Sequence, residues 1–322
     1  TEMAEFVETF ARYTMEPVFK HAFFVAGGTL GVENALKASF DWKVRKNFAR
    51  GYREERGTKV LHFEQAFHGR SGYTLTLTNT TDPRKTAYFP KFDWPRVSNP
   101  KAVFPLTAER VADVATREAL AVAQMERAFE THKDDIAAII IEPIQGEGGD
   151  NHFRPEFFKE LRRIADQHEA MLVFDEVQAG FGLTGKFWSH EHYGIRPDMV
   201  AFGKKAQVCG FIATDRIEDV KENVFHVSSR INSTWGGNLV DMIRCQRYLE
   251  IMAEENLVEN AAARGAELLA GLESLVKEFP EHVMNARGKG LMCAFDLRDG
   301  QLRDKITAKA YEEGVVVLGC GS

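Results

Sequence analysis

The sequence lacks several things that would settle its class at once. No stretch approaches the ~18 consecutive apolar residues of a membrane-spanning helix. The longest apolar run is Ile136 to Ile141. Cysteine is scarce: Cys209, Cys245, Cys293 and Cys320 lie far apart, with no C-x-x-C pair, so reduced thiols in a cytoplasmic compartment are the expectation. Positive charge is not in excess. Lys plus Arg number 41 against 47 Asp plus Glu, a net charge of −6, which speaks against a nucleic-acid or anionic-membrane partner. There is no G-x-G-x-x-G and no G-K-[ST], so a dinucleotide fold or a P-loop has little support. No internal repeat, low-complexity segment or signal-peptide pattern stands out.

What remains is a globular composition, 44% hydrophobic over 322 residues, enough for about two domains. Strand and helix patterns alternate. Strands are expected at Phe23–Val25, Val60–Phe63, Tyr73–Leu77, Ile136–Ile141, Met171–Phe174, Met199–Phe202 and Phe211–Ala213. Helices are expected from Val32 to Phe48, with apolar residues every fourth position, and at Val111–Phe129 and Pro155–His168. From about Gly237 the pattern changes. Long helices at Leu239–Met252 and Leu257–Val276 precede a strand at Leu291–Leu297, a helix at Leu302–Glu313 and a strand at Val315–Leu318. This reads as an α/β unit over residues 1–248 and a smaller unit over 249–322. The chain opens at Thr1 inside a helix-like stretch and stops just after a strand-like run, so further residues are expected at both ends.

Six segments could carry chemistry. Gly27-Gly28-Thr29, between a strand and a helix, could seat a phosphate on free backbone N–H groups, or be a tight turn with Thr29 as N-cap. Asp175 ends an apolar strand, where α/β sheets collect ligands; it could equally cap a helix. Lys204 follows another apolar strand in Phe202-Gly203-Lys204-Lys205; an amine there, paired with Asp175, suggests pyridoxal phosphate chemistry, while alone it would be a solvated basic pair. Glu142-Pro143-Ile144-Gln145-Gly146-Glu147-Gly148-Gly149 offers two carboxylates in a glycine-rich loop. Phe67-His68-Gly69-Arg70 joins an aromatic ring to a guanidinium suited to a carboxylate. Ser233-Thr234-Trp235-Gly236-Gly237 could offer hydroxyls to a phosphate, or cap the next helix.

Taken in this order, the six segments resemble class III, fold-type I, pyridoxal phosphate-dependent aminotransferases. Within that family the chain is most similar to the lysine ε-aminotransferase (L-lysine 6-aminotransferase) subgroup. The residues that carry this are Gly31 to Ala38, Phe40-Asp41-Trp42-Lys43, Gly69 to Leu75, Phe202 to Lys205 with Gln207 to Gly210, and Arg230 to Asn238. The resemblance implies a large domain with a mostly parallel seven-stranded sheet, a smaller C-terminal α+β domain, and pyridoxal 5'-phosphate as cofactor. It implies ping-pong transfer of the ε-amino group of L-lysine to 2-oxoglutarate, with another ω-amino acid (ornithine, 4-aminobutyrate or a β-amino acid) as the alternative donor.

The family's roles fall on named positions. Lys204 would bind the cofactor covalently and move the proton; Asp175 would hold the ring nitrogen protonated. Gln178 would bond the ring oxygen, Phe67 would stack on one face, and Val177 would pack on the other. Gly28 and Thr29 would receive the phosphate, with Thr234 reaching that of a neighbouring subunit, so a homodimer with interface sites is implied. Arg70 would bind a substrate carboxylate, Glu147 would mask a second arginine lying beyond Ser322, and Asn232 would help bind substrate. The turn departs from the family's usual Ser-Gly-Thr, losing one hydroxyl.

Overall fold

The computed structural model describes residues 1–320. Helix α1 (Glu2–Thr14) leads into strand β1 (Phe19–Val25), and helix α2 (Gly28–Ala49) follows directly. Next come β2 (Lys59–Phe63), the short helix α3 (Gly72–Leu77), β3 (Arg96–Val97), helix α4 (Ala108–Thr131) and β4 (Ile136–Ile141). A small ribbon, β5 (Ile144–Gln145) with β6 (Asn151–His152), precedes helix α5 (Pro155–Gln167). Strands β7 (Met171–Asp175), β8 (Met199–Phe202) and β9 (Cys209–Thr214) complete the main sheet. The chain then runs through α6 (Leu239–Glu254), α7 (Leu257–Glu278), the hairpin β10 (Val283–Lys289) with β11 (Met292–Leu297), and α8 (Gly300–Glu312).

The main sheet has seven strands in the order β1-β9-β8-β7-β4-β2-β3. Strands β3, β2, β4, β7 and β8 pair in parallel, while β9 is antiparallel to both of its neighbours. The expected seven-stranded, mostly parallel α/β sheet is therefore present. Both faces are covered, which is why β4 and β7 read as unbroken apolar runs. One face packs Phe63, Ile141 and Phe174 against α4 and α5 through Met125, Phe157 and Leu161. The other packs Val60, Ile140, Val173 and Phe211 against α2 through Val32, Leu36 and Trp42. A third cluster, with Phe6, Phe10, Trp188, Phe202 and Leu249, joins α1 and α6 to the sheet's flank.

Four sequence expectations need correction. Tyr73–Leu77 is helix, not strand: the Thr74 hydroxyl donates to the Ser71 carbonyl and accepts from its N–H, winding the chain locally. Thr74, Leu75, Thr76 and Leu77 are all buried, so the Thr/Leu alternation marks no open sheet face. Val315–Leu318 forms no strand among the described residues and is exposed. The N-cap of α2 is Gly27, not Thr29, which lies in the first turn. The every-fourth stripe on α2 buries Val32 and Leu36 but leaves Phe48 45% exposed. Each four-residue step overshoots a 3.6-residue turn by about 40°, so the stripe winds off the buried face. Trp42 and Lys43 take that face instead, with the Lys43 ammonium donating to the His168 and Glu169 carbonyls.

Helix α2 lies unusually close to β9. A Cβ on Gly31 would stand 2.6 Å from the Gly210 carbonyl oxygen, and backbone cannot yield as a side-chain tip can. Gly31→Ala should therefore destabilise by about 1–3 kcal/mol through overpacking. Intrinsic helix propensity alone would stabilise by about 1 kcal/mol. Urea unfolding of the variant against wild type decides between the two signs.

Candidate active site

Five loops meet at the carboxyl edge of the sheet. In a parallel sheet every such loop leaves on the same side, so side chains distant in sequence converge. From β1 comes the Gly27–Thr29 turn; from β2, Phe67 and His68; from β4, Glu142; from β7, Asp175 to Gln178; from β8, Gly203 and Lys204.

Asp175 is buried, with its side chain only 5% exposed. Its Oδ2 accepts from His68 Nδ1 at 2.8 Å and its Oδ1 from the Val177 N–H at 3.1 Å. His68 is held in turn: Thr78 Oγ1 accepts from the His68 and Gly69 N–H groups and donates to the Gly69 carbonyl. The far ring nitrogen of His68, Nε2, is buried with no protein partner. Beside this pair, Glu142 accepts from the Phe67 N–H at 2.8 Å. Burial, and then the Asp175 carboxylate, push the Glu142 carboxyl well above the usual range. The next residue, Glu176, is pinned elsewhere, accepting from the Ser189 and His190 N–H groups and from His190 Nδ1. Burial opposes a charge on His190, but Glu16 and Glu176 outweigh it and raise its pKa to about 9.

Lys204 adopts φ of +50°, the left-handed region that non-glycine residues seldom occupy. This directs Nζ to the Gln178 side chain, whose Oε1 accepts at 3.0 Å. Gln178 is wedged against Gly146, where a Cβ would stand 2.5 Å from its Cδ. Lys205 points the other way and donates to the Gln178 carbonyl at 2.5 Å. Burial, then the charge on Lys204, lower its pKa to about 8.

The turn at Gly28 is tight against the same residues. A Cβ on Gly28 would stand 2.8 Å from Val177 Cγ1, and one on Gly203 would stand 3.3 Å from Gly28 Cα. Gly69 abuts the Thr29 hydroxyl. No side chain caps α2, so its first N–H groups are open to an anion. An amine on Lys204, a buried carboxylate backed by a histidine, and a glycine cradle at a helix start fit a pyridinium aldehyde phosphate.

The substrate-side residues are less gathered. Arg70 is exposed and enters no ion pair among the described residues. Asn232 is exposed, its Oδ1 accepting from the Ser233 N–H. Thr234 is exposed beside Trp235, which is 82% exposed; the segment is tied down at Gly237 against Val208 and Phe24. Glu147 forms an ion pair with Lys85. Sequence reasoning singled out neither Lys85 nor the part played by His68, which sits 107 positions from Asp175 and shares no local pattern with it.

A parallel α/β sheet with a lysine and an aspartate on neighbouring strand ends is the architecture of pyridoxal phosphate transferases. The chain matches the Aminotransferase class-III family profile over residues 1–322, and it belongs to that family. Its cofactor is accordingly pyridoxal 5'-phosphate. It is 53% identical over 320 residues to the L-lysine-epsilon aminotransferase of Mycobacterium tuberculosis, covering 99% of this chain and 70% of that one. With the enzyme of the same name from Streptomyces clavuligerus it shares 49% identity over 319 residues, covering 99% and 69%. The human mitochondrial 4-aminobutyrate aminotransferase is 36% identical, covering 92% and 62%. The solved structure of lysine aminotransferase from M. tuberculosis in the internal aldimine form superposes with a TM-score of 0.97 at 53% identity, covering 100% and 73%.

The raised pKa of Glu142 makes a pH prediction. Between its unfolded and folded pKa values the native state holds a proton the unfolded chain has released, so stability falls as pH rises through that window. Glu142→Gln keeps an acceptor for the Phe67 N–H and removes the titration. Relative to wild type, the variant should gain stability as pH rises above the ordinary carboxylate range, as read by denaturant midpoints at each pH.

Proposed function

We propose that this enzyme transfers the ε-amino group of L-lysine to 2-oxoglutarate, giving 2-aminoadipate 6-semialdehyde and L-glutamate. The observation that carries the reading is the meeting of Lys204, Gln178 and the buried His68–Asp175 pair at one sheet edge. The half-identity to lysine ε-aminotransferases supports the choice of donor.

Pyridoxal phosphate, when bound, supplies an aldehyde that takes up the amino group and a ring that draws electrons from the adjacent carbon. The protein supplies the rest. Lys204 holds the cofactor between turnovers and carries the proton on and off the substrate carbon through Nζ. Asp175 would face the ring nitrogen, and the bond from His68 Nδ1 fixes that carboxylate in place. Gln178 would bond the ring oxygen, and Phe67 and Val177 would pack on its two faces. Gly28 and Thr29 would receive the phosphate, and Thr234 would serve the site of a neighbouring subunit. The working unit is thus a homodimer, and the exposure of Thr234 and Trp235 supports this. Arg70 receives a substrate carboxylate, with Asn232 and Glu147 shaping the same region. Residues 1–248 form the cofactor-binding unit and 249–322 belong to a smaller one, with the boundary inside α6. No helix of the described residues is long and apolar enough to cross a membrane, in keeping with a cytoplasmic enzyme.

The test is spectroscopic. The full chain supplied with cofactor should show a visible band that L-lysine alone bleaches and 2-oxoglutarate restores. Lys204→Ala should lack the covalent-cofactor band and lose about 10²–10⁴-fold in rate. Bleaching by ornithine or 4-aminobutyrate but not by lysine would move the donor to another ω-amino acid.

A further inference from the structure

Two adjacent lysines grip the two ends of one glutamine. Lys204 Nζ donates to the Gln178 side-chain oxygen at 3.0 Å, and Lys205 Nζ donates to the Gln178 backbone carbonyl at 2.5 Å. The chemistry above uses the first lysine and leaves the second without a task. The double grip follows from the local backbone. Lys204–Ala206 is a single 3₁₀ turn, closed by bonds from the Ala206 N–H to the Gly203 carbonyl and from the Gln207 N–H to the Lys204 carbonyl. Neighbouring side chains on such a turn leave about 120° apart, so the two amines reach Gln178 from different sides. Lys204 is exposed at the sheet edge and Lys205 is half-buried. Burial, then the charge on Lys204, lower the Lys205 pKa to about 8, with Glu176 opposing them. At neutral pH Lys205 is therefore still a charged donor, and charge-assisted bonds are the stronger kind.

The two grips differ in permanence. Once Lys204 is joined to the cofactor, its nitrogen is no longer a free ammonium, and the Gln178 side chain is released to the ring oxygen. Two features then keep that side chain in place. One is the wall at Gly146, where a Cβ would stand 2.5 Å from Gln178 Cδ. The other is Lys205. Among the described residues no backbone N–H meets the Gln178 carbonyl, so the Lys205 amine sets the plane of that peptide and with it the direction in which the side chain leaves the backbone. We propose that Lys205 is a positioning residue: by holding the Gln178 carbonyl it keeps the Gln178 side chain aimed at the ring oxygen after Lys204 has let it go. This rests on the cofactor placement given above.

The test uses the full chain, stripped of and then supplied with pyridoxal phosphate, as wild type, Lys205→Met, Lys205→Arg, Gln178→Met and Lys205→Met/Gln178→Met. Cofactor affinity is read by titration into the stripped protein, and the pH midpoint of the visible band by absorbance. Lys205→Met should weaken cofactor binding about ten-fold, the size of a lost bond to a charged donor. It should also move the pH midpoint upward, as Gln178→Met does, because an N–H donated to the ring oxygen competes with the proton shared between that oxygen and the linking nitrogen. The two half-reactions should slow alike, in kcat rather than KM. Lys205→Arg keeps a charged donor and should stay near wild type. In the Gln178→Met background, Lys205→Met should add nothing to either readout, since residues acting through one bond are not additive. Effects that add in the double variant would overturn the proposal. So would a Lys205→Met protein whose only change is a lower urea midpoint, while Gln178→Met alters both affinity and pH midpoint. If Gln178→Met itself leaves both unchanged, the ring-oxygen assignment and this proposal fall together.

Discussion

The burial of one negative charge, on Asp175, organises the whole site. A carboxylate taken out of water costs several kcal/mol unless donors meet it. Here the donors are His68 Nδ1 and the Val177 N–H, and neither is free to drift. His68 is fixed by Thr78, and Val177 by its contact with Gly28. Glu142, the other carboxyl in the same pocket, responds by an upward shift, because burial and the nearby Asp175 charge both disfavour its ionised form. A single buried charge therefore aligns the loops that follow β2, β4 and β7, and through Gly28 the start of α2.

Close backbone approach is the second constraint. Gly28 meets Val177, Gly31 meets Gly210, and Gly203 meets both Gly28 and Cys209. These contacts bring the open N–H groups of α2 beside the strand end that carries Lys204. Positive φ at Lys204 then turns its amine toward Gln178 rather than along the line of β8. Lys205, one residue on, points to the Gln178 backbone instead. Adjacent lysines thus end in different surroundings, Lys204 exposed at the sheet edge and Lys205 half-buried.

Charge at the mouth is handled differently from charge at the floor. Below, the Asp175 carboxylate is met by fixed donors, and burial pushes the Glu142 carboxyl up. Above, in partial contact with water, Glu147 and Lys85 cancel by direct pairing.

Much of this was legible in the residues themselves. The apolar runs Ile136–Ile141, Met171–Phe174 and Met199–Phe202 lie where the strands are, because strands buried on both faces have no polar positions to confuse them. The placing of Asp175 and Lys204 at strand ends followed from that. Other features were hidden for equally physical reasons. The Thr/Leu alternation of Tyr73–Leu77 looked like a strand, but every one of Thr74 to Leu77 is buried, and local hydroxyl bonds wound it into helix. The run Val315–Leu318 has strand-forming residues, but strand structure requires a hydrogen-bonding neighbour, and among the described residues it has none. The types of residue, their spacing and the strand ends were determined by the sequence alone, since these depend on local periodicity and burial. The pairings of His68 with Asp175 and of Lys85 with Glu147 were decided only by the tertiary structure, because a parallel sheet brings its carboxyl-edge loops together whatever their separation along the chain.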